Sequence, residues 1–237
     1  MIDSNSCYKA IGNHSPDQKL HPEIVIFDMD GLIFDSESIS CSIFHQTSVK
    51  YGYNIPLSFF HSLVGISRPH RTVLYKEMFG ADTDLEPLLT EVRSKIQACR
   101  ASGEITLKPG VREIIEIFQR RSIRLAISSS TDTTSVRQML SSSHLANQFE
   151  FIVGGDQLIH GKPHPDAYIR PCELAGVNPG QALALEDSQA GIRAAVAAGV
   201  PVICVPDLQQ PDDYHRKMSF AVVKSLFEVP SFLSDCS

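Results

Sequence analysis

Two carboxylates two residues apart, Asp28 and Asp30, stand where the apolar run Ile24-Val25-Ile26-Phe27 gives out, just before Gly31. Side chains at i and i+2 of an extended chain point the same way, so both acids can face one reacting centre. Gly31 lets the backbone turn away sharply. Joint ionisation of such a pair is unfavourable unless one acid carries a proton or a cation lies between them. A hard divalent ion such as magnesium, which prefers oxygen ligands, relieves the conflict. A plain strand-to-loop transition is also rich in Asp and Gly, so Asp-x-Asp-Gly alone leaves both readings open.

Three other stretches offer matching chemistry. Glu186 and Asp187 end the run Ala182-Leu183-Ala184-Leu185; they form a second acidic pair, while Asp187 or Ser188 can also cap a helix through Ala190 to Ala198 that Gly199 stops. Ser128-Ser129-Ser130 follow a further apolar run, where a hydroxyl and backbone N–H groups at a helix start suit a phosphate oxygen, although serine runs also mark ordinary loops. Lys162 stands just before Pro163 in Gly161-Lys162-Pro163-His164-Pro165-Asp166. It is either a solvated surface charge or the cation that neutralises an attacking carboxylate and a transferring phosphoryl group. The nine histidines show no metal-ligand spacing: His45, His61 and His70 read as structural or surface residues, and His164 at most borders a site.

These residues need a frame that brings strand ends together. Five short apolar runs read as buried strands: Ile24 to Asp28, Arg124 to Ser128, Phe151 to Gly154, Ala182 to Glu186 and Pro201 to Val205. Helical patterns separate them, with Val111, Ile114, Ile115 and Phe118 giving one apolar face. Strand–helix alternation predicts an α/β fold with a parallel sheet, and ligands of such sheets bind at the carboxyl edge. The alternation breaks once. About ninety residues separate the first two strands, far more than a single crossover needs. Leu85, Leu88, Leu89, Val92 and Ile96 share a helical face there, so residues 38–106 are expected to form a helical cap. Pro109-Gly110 marks the return to a core of 21–37 and 107–237, and residues 1–20 read as a loose tail.

Composition sets the outer limits. The chain has 237 residues, 43% hydrophobic and 20% charged, near globular averages. A net charge of −6 with no basic stripe argues against a nucleic-acid partner. Six cysteines without a Cys-x-x-Cys pair argue against a zinc site or a short disulfide framework, and are expected to be reduced thiols. No apolar stretch approaches the roughly 20 residues that span a bilayer, so the expectation is no membrane partner and a cytoplasmic protein, by default a monomer.

The stretch Asp28-Met29-Asp30-Gly31-Leu32-Ile33-Phe34-Asp35-Ser36-Glu37 closely resembles the first motif of haloacid dehalogenase-like hydrolases, and the serine, lysine and second acidic segments follow in that family's order. The resemblance implies a Rossmann-like sheet of order 3-2-1-4-5 with an inserted helical cap. It implies that Asp28 is a nucleophile that becomes phosphorylated, and that Asp30 is the acid/base. Ser128 and Lys162 would hold the phosphoryl group. Asp28, the Asp30 carbonyl, Glu186 and Asp187 would surround magnesium.

The helical insertion resembles the β-phosphoglucomutase and sugar-phosphate phosphatase branch, which implies a small phosphorylated metabolite, a sugar or polyol phosphate, as substrate. Val64-Gly65-Ile66-Ser67-Arg68 resembles that branch's substrate-facing loop, so Gly65 and Arg68, with Ser129, are expected to contact substrate; Arg68 also reads as a solvated helix-start arginine. Where mutases of the branch carry a histidine five positions after the motif's last aspartate, Ser40 stands here. A serine cannot carry that positive charge, which favours a phosphatase over an intramolecular phosphotransferase. A non-catalytic ligand-binding module is the remaining alternative, set aside because every chemically required residue is present.

Overall fold

The computed structural model describes residues 18–64 and 68–234, without the side chains of residues 68–70. Residues 1–17 of the expected tail, and Gly65, lie outside the described residues. Strand β1 (Ile24–Phe27) is buried along its whole length. Its unbroken Ile-Val-Ile-Phe run suits a strand covered on both faces. It pairs in parallel with β2 (Arg124–Ser128) and, on its other side, with β4 (Ala182–Glu186). Beyond them lie β3 (Phe151–Val153), β5 (Val202–Cys204) and β6 (Ala221–Val222), in the order β3-β2-β1-β4-β5-β6. The expected 3-2-1-4-5 order is present, extended by β6. That two-residue strand is too short to show a period in the sequence.

Register explains why the strand-end residues meet. Phe27 lies level with both Ile127 and Leu185. The residues that follow in each strand, Asp28, Ser128 and Glu186, therefore emerge at one height on one edge. Side chains alternate across the sheet. Val25 and Phe27 pack with α5 (Val111–Arg120) and α6 (Thr133–Ser142), while Ile24 and Ile26 pack with α7 (Asp166–Ala175) and α8 (Gln189–Ala197). The helix predicted from Val111, Ile114, Ile115 and Phe118 buries all four. Phe118 meets Phe27 edge-on, with ring centroids 5.9 Å apart, and Phe149 meets the same ring at 5.7 Å.

Between β1 and β2 the chain forms α1 (Ser36–Lys50), α2 (Leu57–Ser62), α3 (Arg68–Phe79) and α4 (Glu86–Ser102). These helices have an apolar cluster of their own around Phe44, Phe60, Phe79, Leu88 and Val92, against which Leu85, Leu89 and Ile96 pack. Gly110 takes φ +89° as the chain re-enters the sheet region at α5. Among the described residues no helix is long and apolar enough to cross a membrane, and Cys41, Cys99, Cys172 and Cys204 are free thiols.

The aromatic contact at the centre of one face yields a direct test. Phe118→Ala should destabilise the protein by about 3–5 kcal/mol, the usual cost of emptying a buried phenylalanine site. It should shift the urea midpoint with little change in slope. A loss below about 1 kcal/mol, typical of surface changes, would show that Phe118 is not a core residue.

Candidate active site

Asp28, Glu186 and Asp187 offer carboxylate oxygens within 4.8 Å of one another, and all three residues are buried. Lys162 enters this group from the loop between β3 and α7, its peptide bond to Pro163 cis. The ammonium lies 2.5 Å from Asp28 Oδ1, 2.6 Å from Glu186 Oε1 and 3.1 Å from the Ser128 carbonyl. All three of its donors are thereby used. Burial opposes a charged lysine, yet the two carboxylates more than offset this and hold its pKa above the usual value.

The carboxylates share the ammonium unequally. Glu186 Oε1 also accepts from the Tyr168 hydroxyl at 2.8 Å, while Oε2 accepts from the N–H groups of Asp187 and Ser188 and from the Ser188 hydroxyl. Burial pushes Glu186 towards the neutral acid, but Lys162 and these hydrogen bonds win and hold its pKa low. Asp28 lacks such a cradle. Burial, opposed by Lys162 and reinforced by Glu186 and Asp30, pushes it up to about 8. Asp187 is held well above the carboxylate range by burial, then by Asp28, Glu186 and Glu37. Three buried carboxyls meet one ammonium, and two of them are pushed towards the neutral acid for want of further positive charge, so an all-oxygen donor set of this kind fits a hard divalent cation.

Two glycines permit the approach. A Cβ on Gly31, whose φ is +86°, would run into the Asp187 carboxylate, and one on Gly191 would overlap the Glu186 carboxylate. Ser188 caps α8 by accepting from the Gly191 N–H, so of the two expected caps it is Ser188 that serves.

Asp30 sits beside this cluster among hydroxyls. Ser36 donates to Oδ1 and Thr131 to Oδ2, each at 2.7 Å, and Ser129 lies 3.3 Å from Oδ2. Arg100, near the end of α4, lies 3.4 Å from Asp30 Oδ1 and 3.3 Å from Thr131 Oγ1. The helical insertion thus touches the sheet-edge site through a cation. Behind it, Glu37 is raised to about 7 by burial and then by Asp30. Lys108 joins Asp207 at 2.5 Å and Asp35 at 3.9 Å.

The expected residues do not all arrive. Asp28, Asp30, Lys162, Glu186, Asp187 and Ser129 come together. The hydroxyl expected from Ser128 is directed elsewhere: it is fully buried and donates to the Ala167 carbonyl at 2.6 Å, so only the Ser128 backbone touches the site. Ser129 and Thr131 supply the hydroxyls instead. Gly65 and the Arg68 side chain lie outside the described residues. Of the groups that sequence reasoning missed, Asp207 follows β5 as the other acids follow their strands and was within reach of the same argument. Arg100 and Tyr168 carried no signal.

The chain thus combines a parallel sheet, an acid-lined carboxyl edge, an internal lysine and a helical insertion after the first strand. Residues 25–205 match the model of the haloacid dehalogenase-like hydrolase family. A phosphorylated carbohydrates phosphatase of Thermotoga maritima is 30% identical over 75% of this chain and 82% of its own length. CbbY from Rhodobacter sphaeroides, in a mutant form complexed with xylulose-(1,5)bisphosphate, superposes with a TM-score of 0.72 at 26% identity over 90% of this chain and all of that one. A β-phosphoglucomutase from Clostridium difficile shares the fold, with a TM-score of 0.69 at 24% identity over 88% of this chain and 93% of its own. The chain belongs to the haloacid dehalogenase-like hydrolase family.

The raised Asp28 and Asp187 carboxyls make cation binding a proton-releasing event. Burial pushes the Asp28 carboxyl up to about 8, so a divalent cation competes with a proton there and its affinity should rise with pH through neutrality. Calorimetric titration with Mg2+ near pH 7, in two buffers of different ionisation enthalpy, should report buffer-dependent heats from the release of about one to two protons per ion bound. Identical heats in both buffers would show that the carboxyls were already ionised.

Proposed function

We propose that this chain is a magnesium-dependent phosphatase that hydrolyses a small phosphorylated metabolite, a sugar or polyol phosphate, through a phosphorylated Asp28. Family membership and the names of its relatives make it a phosphoric monoester hydrolase; the observation that carries the mechanism is a buried carboxylate gripped by Lys162 with a second acid, Asp30, two residues on.

Asp28 attacks phosphorus and the ester P–O bond breaks, while Asp30 gives its proton to the departing alkoxide. Asp30 then takes a proton from water, which attacks the acyl phosphate, breaks its P–O bond and returns Asp28 with inorganic phosphate. Lys162 offsets negative charge on Asp28 and on the transferring group. Ser129, with neighbouring backbone N–H groups, orients phosphate oxygens. Magnesium, held by Asp28, Asp187 and the Asp30 carbonyl with Glu186 alongside, would supply neutralisation of the phosphoryl oxygens. Glu186 takes part chiefly by fixing Lys162, since five donors already occupy its oxygens.

Residues 38–106 act as a cap over the core of 21–37 and 107–237, and the Gly65–Arg68 loop reads the part of the substrate remote from phosphate. A phosphorylated carbohydrate in one relative's name, and a sugar bisphosphate in another's structure, support a sugar phosphate here. Asp28, Asp30, Lys162 and Asp187 all come from one chain, so the site needs no residue from a second copy.

Asp28→Asn should abolish magnesium-dependent phosphate release from a generic ester while the circular dichroism spectrum is kept. Asp30→Asn should lose about 10²–10⁴-fold, less on esters with very good leaving groups. Substantial turnover by the Asp28 variant would refute the covalent route, and equal losses on good and poor leaving groups would remove Asp30 as the acid.

The alternative is an intramolecular phosphotransferase. Ser40 lies on α1 where mutases of the branch carry histidine, so nothing at that position restrains water from the phosphorylated enzyme. With β-glucose 1-phosphate and a trace of the 1,6-bisphosphate, free phosphate should outpace glucose 6-phosphate. Glucose 6-phosphate appearing much faster would establish the mutase.

A further inference from the structure

The loop that carries Lys162 gathers a second set of ligand-type side chains, remote in character from the carboxylate edge. His160, His164 and Asp166 offer nitrogen and oxygen atoms that all lie within 4.8 Å of one another. His160 Nδ1 is 3.3 Å from Asp166 Oδ2, His164 Nδ1 is 3.0 Å from Asp166 Oδ1, and the two imidazole centroids are 4.4 Å apart. Two of the histidines, read from the sequence as without metal-ligand spacing, thus meet at one carboxylate. His164 N–H closes a turn onto the Gly161 carbonyl, and Asp166 begins α7. Both rings consequently fold back onto a carboxylate in the first helical turn.

We propose that His160, His164 and Asp166 form a binding site for a transition-metal ion of the zinc class, distinct from the carboxylate site. Ligand type separates the two: paired imidazoles with one carboxylate suit zinc, whereas all-oxygen sets suit magnesium. Spacing agrees as well. Zinc bonds of about 2.0–2.2 Å place tetrahedral ligands roughly 3.3–3.6 Å apart, and the nitrogen–oxygen separations here need only a small outward adjustment. Access is open, because the His160 and His164 side chains are 61% and 46% exposed. Three protein ligands leave a fourth position for water. A single dication would satisfy all three groups at once. Lys162 lies two residues from each histidine, so a bound ion pins both ends of the turn that presents the lysine.

The test uses the full chain dialysed against Zn2+, and separately Co2+, in a large excess of Mg2+ to fill the carboxylate site. The wild-type protein should retain one zinc per chain that magnesium does not displace. Cobalt in its place should show the intense visible bands of a tetrahedral nitrogen–oxygen site. A His160→Gln/His164→Gln double variant should lose that equivalent and those bands with its circular dichroism unchanged. Asp187→Asn should keep them. No zinc retained by the wild type, retention by the double variant, or loss confined to Asp187→Asn would each overturn the proposal. Should the double variant fail to fold, His160→Gln alone must weaken cobalt binding at least tenfold, and unchanged binding by it would equally overturn the proposal.

Discussion

A single buried ammonium holds the site together. Lys162 reaches Asp28 at the end of β1, Glu186 at the end of β4 and the Ser128 carbonyl at the end of β2. It ties three neighbouring strands at the edge where their backbone ladders stop. Isolated charges in such a place are very costly, and breaking a buried pair costs about 3–5 kcal/mol because the abandoned partner stays uncompensated. The unequal hydrogen bonding of the two carboxylates then divides their labour. Glu186, with five donors, is an anchor. Asp28, held on its side chain by the lysine, is left with the raised carboxyl of a group in need of more positive charge.

Much of this was readable from residue order. A run such as Ile24-Val25-Ile26-Phe27 can be buried only in a sheet covered on both faces, and once strands are parallel their carboxyl ends share an edge. By residue order Asp28, Asp30, Glu186 and Asp187 stand at or just beyond that edge, whereas Lys162, in the loop between β3 and α7, was expected there from the family resemblance. The insertion followed from chain length, and its Leu88 and Val92 from helical period. The missing pieces are those that local pattern does not encode. Strand β6 is two residues long. Arg100 meets Asp30 across seventy residues of sequence.

The serine run marks a finer limit. Where a strand ends, its two-residue period ends with it, and nothing in Ser128-Ser129-Ser130 says which hydroxyl turns inward. The last strand residue, Ser128, follows the pleat into the α7 side and bonds Ala167. Ser129, one step later, has left the pleat and faces Asp30. A shift of one residue exchanges a structural hydroxyl for one at the site.

The contact between Arg100 and Asp30 bears on how far the two parts of this chain can be treated as interchangeable building blocks. Asp30 belongs to the first strand's motif, yet part of its charge environment is contributed by the last turn of α4. Grafting a foreign helical insertion onto this core would silently delete a cation beside Asp30. A successful chimera therefore needs its new segment to return a guanidinium to that same spot, and recombination between relatives is constrained there even where every core motif is kept.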